Sequence, residues 1–319
     1  MLRKALTNQR VENIYIFLSL LLLVALFGFT TDHFFSLQTL SAIMSQLPAL
    51  TVVTVGMTLV LIIGGIDLSV GSVVALSACI IGTVIVSHDI PMILAVLLGI
   101  FSGTITGFSS GYLIARFSLP AFIVTLGMLE VARGMAYLSS DSQTVYVGSD
   151  MQKLALPITG IGISISMITA LLVVISAHFM LTRTIFGRYI IAIGTSETAA
   201  RISGIKVRPY TIGVFTLSGT LAGLGGLFNL AYIGSADPNT GIGLELSAIA
   251  AAVIGGTSLM GGRGSIIGAF IGVLIIAVLQ NGLAQLGLSE PSKRIITGLV
   301  IIFAVLADRF RRGLNRTDT

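Results

Sequence analysis

The chain has 319 residues, of which 55% are apolar and only 10% charged, against roughly 25% charged in a soluble globular domain. That composition excludes an ordinary soluble protein, because its apolar surface would face water, and the bilayer is the solvent that removes the problem. The net charge of +5 does not point to nucleic acid, since the cations sit in short connectors between apolar runs rather than on one exposed surface.

A membrane crossing needs about 20 apolar residues to cover a core of about 30 Å. Arg3, Lys4 and Arg10 precede an apolar run from Asn13 to Thr30. The run is long for a signal peptide and no A-x-A-like site follows it, so it reads as the first retained span. Further runs cover 49–65, 69–87, 90–115, 119–138, 163–181, 210–233, 246–260, 264–286 and 293–307. The expected fold is an all-α polytopic membrane protein with about ten spans in a single domain over residues 1–319. Two runs, 246–260 and 293–307, are short, as expected of segments buried in protein or re-entrant.

Placing the N-terminus in the cytoplasm and alternating puts fourteen of the 18 Lys and Arg residues inside. Only Lys153, Lys293 and Arg294 fall outside, and Arg133 falls within a span. This asymmetry predicts both termini in the cytoplasm. The connector 139–162 is then outside and the basic connector 182–209 inside. The one cysteine, Cys79, excludes an intrachain disulfide.

The motifs carry chemistry in the same order along the chain. Gly64-Gly65-Ile66-Asp67-Leu68-Ser69-Val70-Gly71-Ser72 reads as a helix end followed by a capped helix start. It is either a turn at the membrane edge or a break at depth that lines a path with Asp67. A similar Gly255-Gly256-Thr257-Ser258-Leu259 with Gly264-Ser265 is a weak internal echo. Gly103, Gly107 and Gly111, and again Gly264, Gly268 and Gly272, recur every fourth residue. Each series offers a smooth helix face for close packing, within one subunit, at a dimer seam or on a sliding surface.

Glu130 and Arg133 lie three apart in one span, where an internal ion pair is expected; a proton relay or substrate contact is the other reading. Asn229, Gln280 and Asn281 lie near the outer ends of spans; amides there bond sugar hydroxyls or bridge helices. His178 reads as an interface residue. In the inner connector, Ser196 is placed to cap a short helix with Glu197 at its positive end. Thr198, Ala199, Ala200, Arg201 and Ile202 fill that helix, and Gly204 stands where it should end. It is either a docking helix or an ordinary basic loop. There is no phosphate-binding loop, no H-E-x-x-H, and only His33, His88 and His178 for imidazole chemistry. No catalytic site, metal or cofactor is expected.

Four of these stretches together resemble the ribose-type permeases of bacterial ABC importers. They are Gly56-Met57-Thr58 with Gly64–Ser72, Pro120–Met128 with Arg133-Gly134, Gly187-Arg188-Tyr189 with Ala199–Ile205, and Ile254–Leu259 with Gly261–Ser265. The resemblance runs over about residues 50–306. It implies a permease, normally paired with a second permease subunit, that moves a monosaccharide such as a pentose across the inner membrane. It also implies a cytoplasmic ATPase and an extracytoplasmic sugar-binding protein. By the same resemblance, Ser196, Glu197, Ala199, Ala200, Arg201, Ile202 and Gly204 form the coupling helix. The chain departs from the family pattern at Thr195 and Ser196, where asparagines are usual, and at Glu130, where an apolar residue is expected. An ion-coupled secondary transporter and a non-transporting scaffold are the competing classes.

Overall fold

The computed structural model describes residues 2–31, 34–158 and 162–314. Arg3, Lys4, Arg10, Arg309, Arg311 and Arg312 lie outside the residues whose side chains are described, and Arg316 and His33 lie outside the described residues.

Helix α1 (Leu2–Thr30) leads to α2 (Leu37–Ile62), which begins 12 residues before the expected span, under a Ser36 cap on the Thr39 N–H at 3.2 Å. From Leu47 to Ile62 every residue of α2 except Leu50 is buried, so this helix is the spine of the bundle. Next come α3 (Val70–His88), α4 (Met92–Phe117) and α5 (Ala121–Ser139). Pro91 and Pro120 stand just before α4 and α5, where a missing N–H and a fixed φ do no harm. The outer connector holds β1 (Val145–Tyr146) and the single turn α6 (Ser149–Gln152). Then follow α7 (Ile165–Arg183), the amphipathic α8 (Ile185–Thr195), α9 (Glu197–Ile202) and α10 (Val207–Ile233). Last are β2 (Ser235–Ala236), α11 (Leu244–Ile254), α12 (Ile266–Gln285) and α13 (Glu290–Leu314).

Seven of the helices are long and apolar enough to cross a membrane among the described residues: α2, α3, α4, α5, α7, α10 and α12. The chain is a polytopic helical membrane protein. One small ladder departs from all-α: β1 and β2 pair antiparallel, Val145 with Ala236 and Tyr146 with Ser235. The expected span 246–260 is corrected. The helix there has 11 residues, about 16 Å at 1.5 Å per residue, and the rest of the run is a turn.

Both glycine-rich motifs are helix breaks. At Gly64, with φ of 89°, the N–H bonds Leu61 O at 3.0 Å and the next N–H, of Gly65, bonds Val60 O at 2.9 Å. At Gly256, with φ of 86°, the N–H bonds Val253 O and the Thr257 N–H bonds Ala252 O, both at 2.9 Å. These are two copies of one left-handed helix terminus. Gly64 matches Gly256, one residue later than the sequence echo suggests. The breaks also meet, because the Gly262 N–H donates to Ile62 O at 2.8 Å.

The first glycine series packs inside the chain. A methyl on Gly103 would run into the Gly219 carbonyl, one on Gly107 into the Phe215 carbonyl, and one on Gly111 against Ile212. Thus α4 lies backbone to backbone on α10. The second series is corrected, since Gly264 precedes α12 and sits against Ile62. Gly268 and Gly272 are in the helix and face Gly255 and Ala251 of the α11 segment.

Candidate functional site

Helix α10 has 27 residues, about 40 Å of rise, and links two distinct surfaces. At its far end is a cavity of about 610 Å³ between α2, α10, α11, α12 and α13. That volume falls in the usual range for small-molecule sites, about 300–1,000 Å³. Asn229, Gln280 and Asn281 all line it, with Gln46 and Tyr232. Asn281 Nδ2 donates to Ala277 O at 3.0 Å and reaches Gln46 Oε1 at 3.4 Å, and Gln46 Nε2 donates to Tyr232 Oη at 2.8 Å. Asn229 Oδ1 is buried without a hydrogen-bond partner among the described residues. An acceptor in that state is destabilising until a donor reaches it.

Glu290, Lys293 and Arg294 border the same cavity, and Lys293 pairs with Glu290 at 2.6 Å. Sequence reading missed Gln46, because it places the start of α2 after that residue. The one available signal was the polar Ser45-Gln46 pair ahead of the apolar run.

Asp67 is elsewhere. It is 1% exposed, its Oδ1 accepts from the Ser69 N–H at 3.1 Å and hydroxyl at 2.6 Å, and its Oδ2 accepts from the Ser218 hydroxyl at 2.9 Å. Asp67 does not line this cavity; its carboxylate fastens the first helix break to α10.

The expected Glu130–Arg133 pair does not form among the described residues. The Arg133 guanidinium instead donates to the carbonyls of Pro238 and Thr240, the latter at 2.8 Å. Tyr137 Oη donates to Asn239 Oδ1 at 2.6 Å. The loop so held continues through Gly241, Ile242 and Gly243 into the cavity wall. In it, the Asn239 backbone N–H holds the Asp237 carboxyl below the ordinary carboxylate range. Backbone carbonyls are good acceptors for a half-buried cation, and they draw Arg133 away from Glu130. Glu130 is exposed.

The near end of α10 adjoins α9. Ser196 Oγ accepts the Ala199 N–H at 3.2 Å, and the helix closes at Gly204, φ 84°, with the Ile205 N–H on Ala200 O at 3.0 Å. Glu197 and Arg201 pair across one turn at 2.5 Å. Ala200 is buried, whereas Ile202 is 82% exposed. The helix is anchored by one small residue and offers the rest of its surface outward.

The sequence pattern described as "Branched-chain amino acid transport system / permease component" matches residues 39–305. The chain belongs to this permease family. The permease is 40% identical over 298 residues to the ribose import permease protein of Haemophilus influenzae, covering 92% of each chain. It is 38% identical over 308 residues to the ribose import permease protein of Bacillus subtilis, covering 92% of this chain and 91% of that one. It is also 35% identical over 288 residues to the fructose import permease protein of Rhizobium meliloti, covering 88% of this chain and 80% of that one. The resemblance to ribose-type permeases read from the four motifs thus extends over nearly the whole permease.

Proposed function

We propose that this chain is the membrane subunit of an ATP-binding-cassette importer for a monosaccharide, a pentose such as ribose or a related sugar. The observation that carries the reading is the pairing of two surfaces at opposite ends of α10. One is an amide-lined cavity large enough for a sugar, and the other is a capped, outward-facing helix. The relatives import sugars, and amide side chains suit hydroxyls by offering both donors and acceptors.

In this reading α9 is the coupling helix in the cleft of a cytoplasmic ATPase, which hydrolyses ATP on a separate chain. The cavity lies toward an extracytoplasmic sugar-binding protein. Asn229, Gln280 and Asn281 belong to the translocation path, which opens alternately to each side. With α1 and α13 added to the seven long helices, and with the short α11 continued across the membrane by the turn that follows it, the chain passes back and forth about ten times, leaving both termini on the cytoplasmic side with α9. A second permease, identical or related, completes the membrane unit. Glu130 supports this, because a carboxylate exposed midway along the membrane helix α5 is costly against lipid and calls for protein or water beside it.

The test is sugar uptake by proteoliposomes holding the permease, its ATPase and its binding protein. ATP-dependent accumulation is expected. Accumulation without the ATPase that collapses with an uncoupler would establish an ion-coupled transporter instead, and no flux would leave the scaffold reading. Arg201→Glu is expected to reduce stimulation of ATP hydrolysis by the binding protein while leaving membrane insertion intact.

A further inference from the structure

The elbow joining α8 to α9 does not hang free below the bundle. Gly194, the next-to-last residue of α8, is pressed into the place where the two helix breaks meet. A methyl added to it would overlap the Ile62 carbonyl and come within 2.7 Å of the Gly262 nitrogen. Those two groups form the hydrogen bond between the breaks, at 2.8 Å. The contact is reciprocal. A methyl on Gly261 would lie 2.7 Å from the Gly194 carbonyl oxygen and 3.1 Å from Gly64 Cα, and one on Gly262 would lie 2.9 Å from Thr195 Cα. Backbones from α8, from the end of α2 and from the turn before α12 therefore come together, with the Thr195 hydroxyl also 2.6 Å from the methyl position of Gly262. Next to this junction, Ala200 of α9 and Ile193 of α8 share an apolar cluster with Ile63, the residue just past the end of α2.

Packed backbone has little give, and tight interiors transmit displacement rather than absorb it. A helix break has fewer internal hydrogen bonds than the helix on either side, so it is where a bundle bends most readily. We infer that Gly194 is a positioning residue that carries movement of α9 directly into both helix breaks, so that one displacement of the elbow shifts α2 and α12 together. α2 carries Gln46, and α12 carries Gln280 and Asn281, so both helices reach the cavity at their other ends. The inference rests on the importer reading, and it assigns the route by which the two surfaces of that reading communicate.

The experiment is the ratio of sugar moved to ATP hydrolysed in proteoliposomes of the full importer, compared between wild type, Gly194→Ala and Ile63→Ala. Gly194→Ala forces the junction apart. Ile63→Ala removes packing from a half-buried position without adding an atom, and it decides the question alone if the first variant does not assemble. Each is expected to lower the ratio about tenfold, the scale of a coupling between sites. A merely structural role would reduce the amount of assembled complex and leave the ratio unchanged. An unchanged ratio in an assembled variant overturns the inference while the importer reading stands. Uptake by the wild type without its ATPase overturns the reading itself.

Discussion

The two ends of α10 are built from opposite materials. At the cavity end, helices are held apart by long amide side chains that bond loosely to one another, as in the 3.4 Å contact between Asn281 and Gln46, and one oxygen, Asn229 Oδ1, has no partner among the described residues. At the elbow end, Gly194 and Gly261 bring backbone against backbone, with a small apolar cluster of Ile193, Ala200 and Ile63 beside them. In the proposed importer, slack at one end would leave room for a hydroxylated ligand to supply the missing bonds. Tightness at the other suits a part that must pass on a displacement. The glycine seam between α4 and α10 belongs to the tight class and runs alongside α10 between the two ends.

That contrast predicts a graded series of substitutions. The largest effect is expected in the seam. Gly219→Leu would drive a side chain into the Gly103 carbonyl and the Gly107 backbone, and overpacking of that kind costs about 3 kcal/mol. Thermal unfolding in detergent should show a clear fall in Tm, and an unchanged Tm would mean that the seam has slack after all. Asp67→Ala comes next. It strips the acceptor from two hydroxyls and one backbone N–H, which should cost about 2 kcal/mol in the same measurement. Asn229→Leu should hold or raise Tm, since it removes a buried oxygen that bonds nothing, but should raise the KM for sugar uptake about tenfold, the equivalent of one hydrogen bond. If the variant instead unfolds with normal KM, Asn229 is a structural residue and the comparison fails at the cavity end. The smallest effect is Ser196→Ala, which removes the α9 cap and costs about 1 kcal/mol locally. Faster amide exchange confined to α9 is the expected sign.

Much of the α9 surface could be read from the sequence because it is local. A cap, its short helix and its terminating glycine lie within nine residues, Ser196 to Gly204, and each group finds its partner within one turn. The cavity was legible in part: Asn229, Gln280 and Asn281 do come together, while Gln46 was hidden by a helix that starts earlier than its apolar run. Asp67 and Arg133 have partners that no local pattern shows. Besides its two bonds from Ser69, Asp67 accepts from Ser218, and Arg133 donates to Pro238 and Thr240, roughly 100 to 150 residues away, instead of pairing with Glu130.

By itself, then, the sequence determined the solvent, the long apolar helices and the Ser196 cap, because hydropathy and capping act over one or two turns; the cap expected at the start of α3 does not form, since Asp67 takes the Ser69 N–H and hydroxyl instead. It also determined that the α4 face of Gly103, Gly107 and Gly111 is lined with glycine. Only the tertiary structure decided that Gly103 and Gly107 meet Gly219, and that the repeated helix ends at Gly64 and Gly256 lean on one another. It alone placed Gly194 between them. A glycine states that something must come close; what comes close depends on how the whole bundle closes, and no local pattern records it.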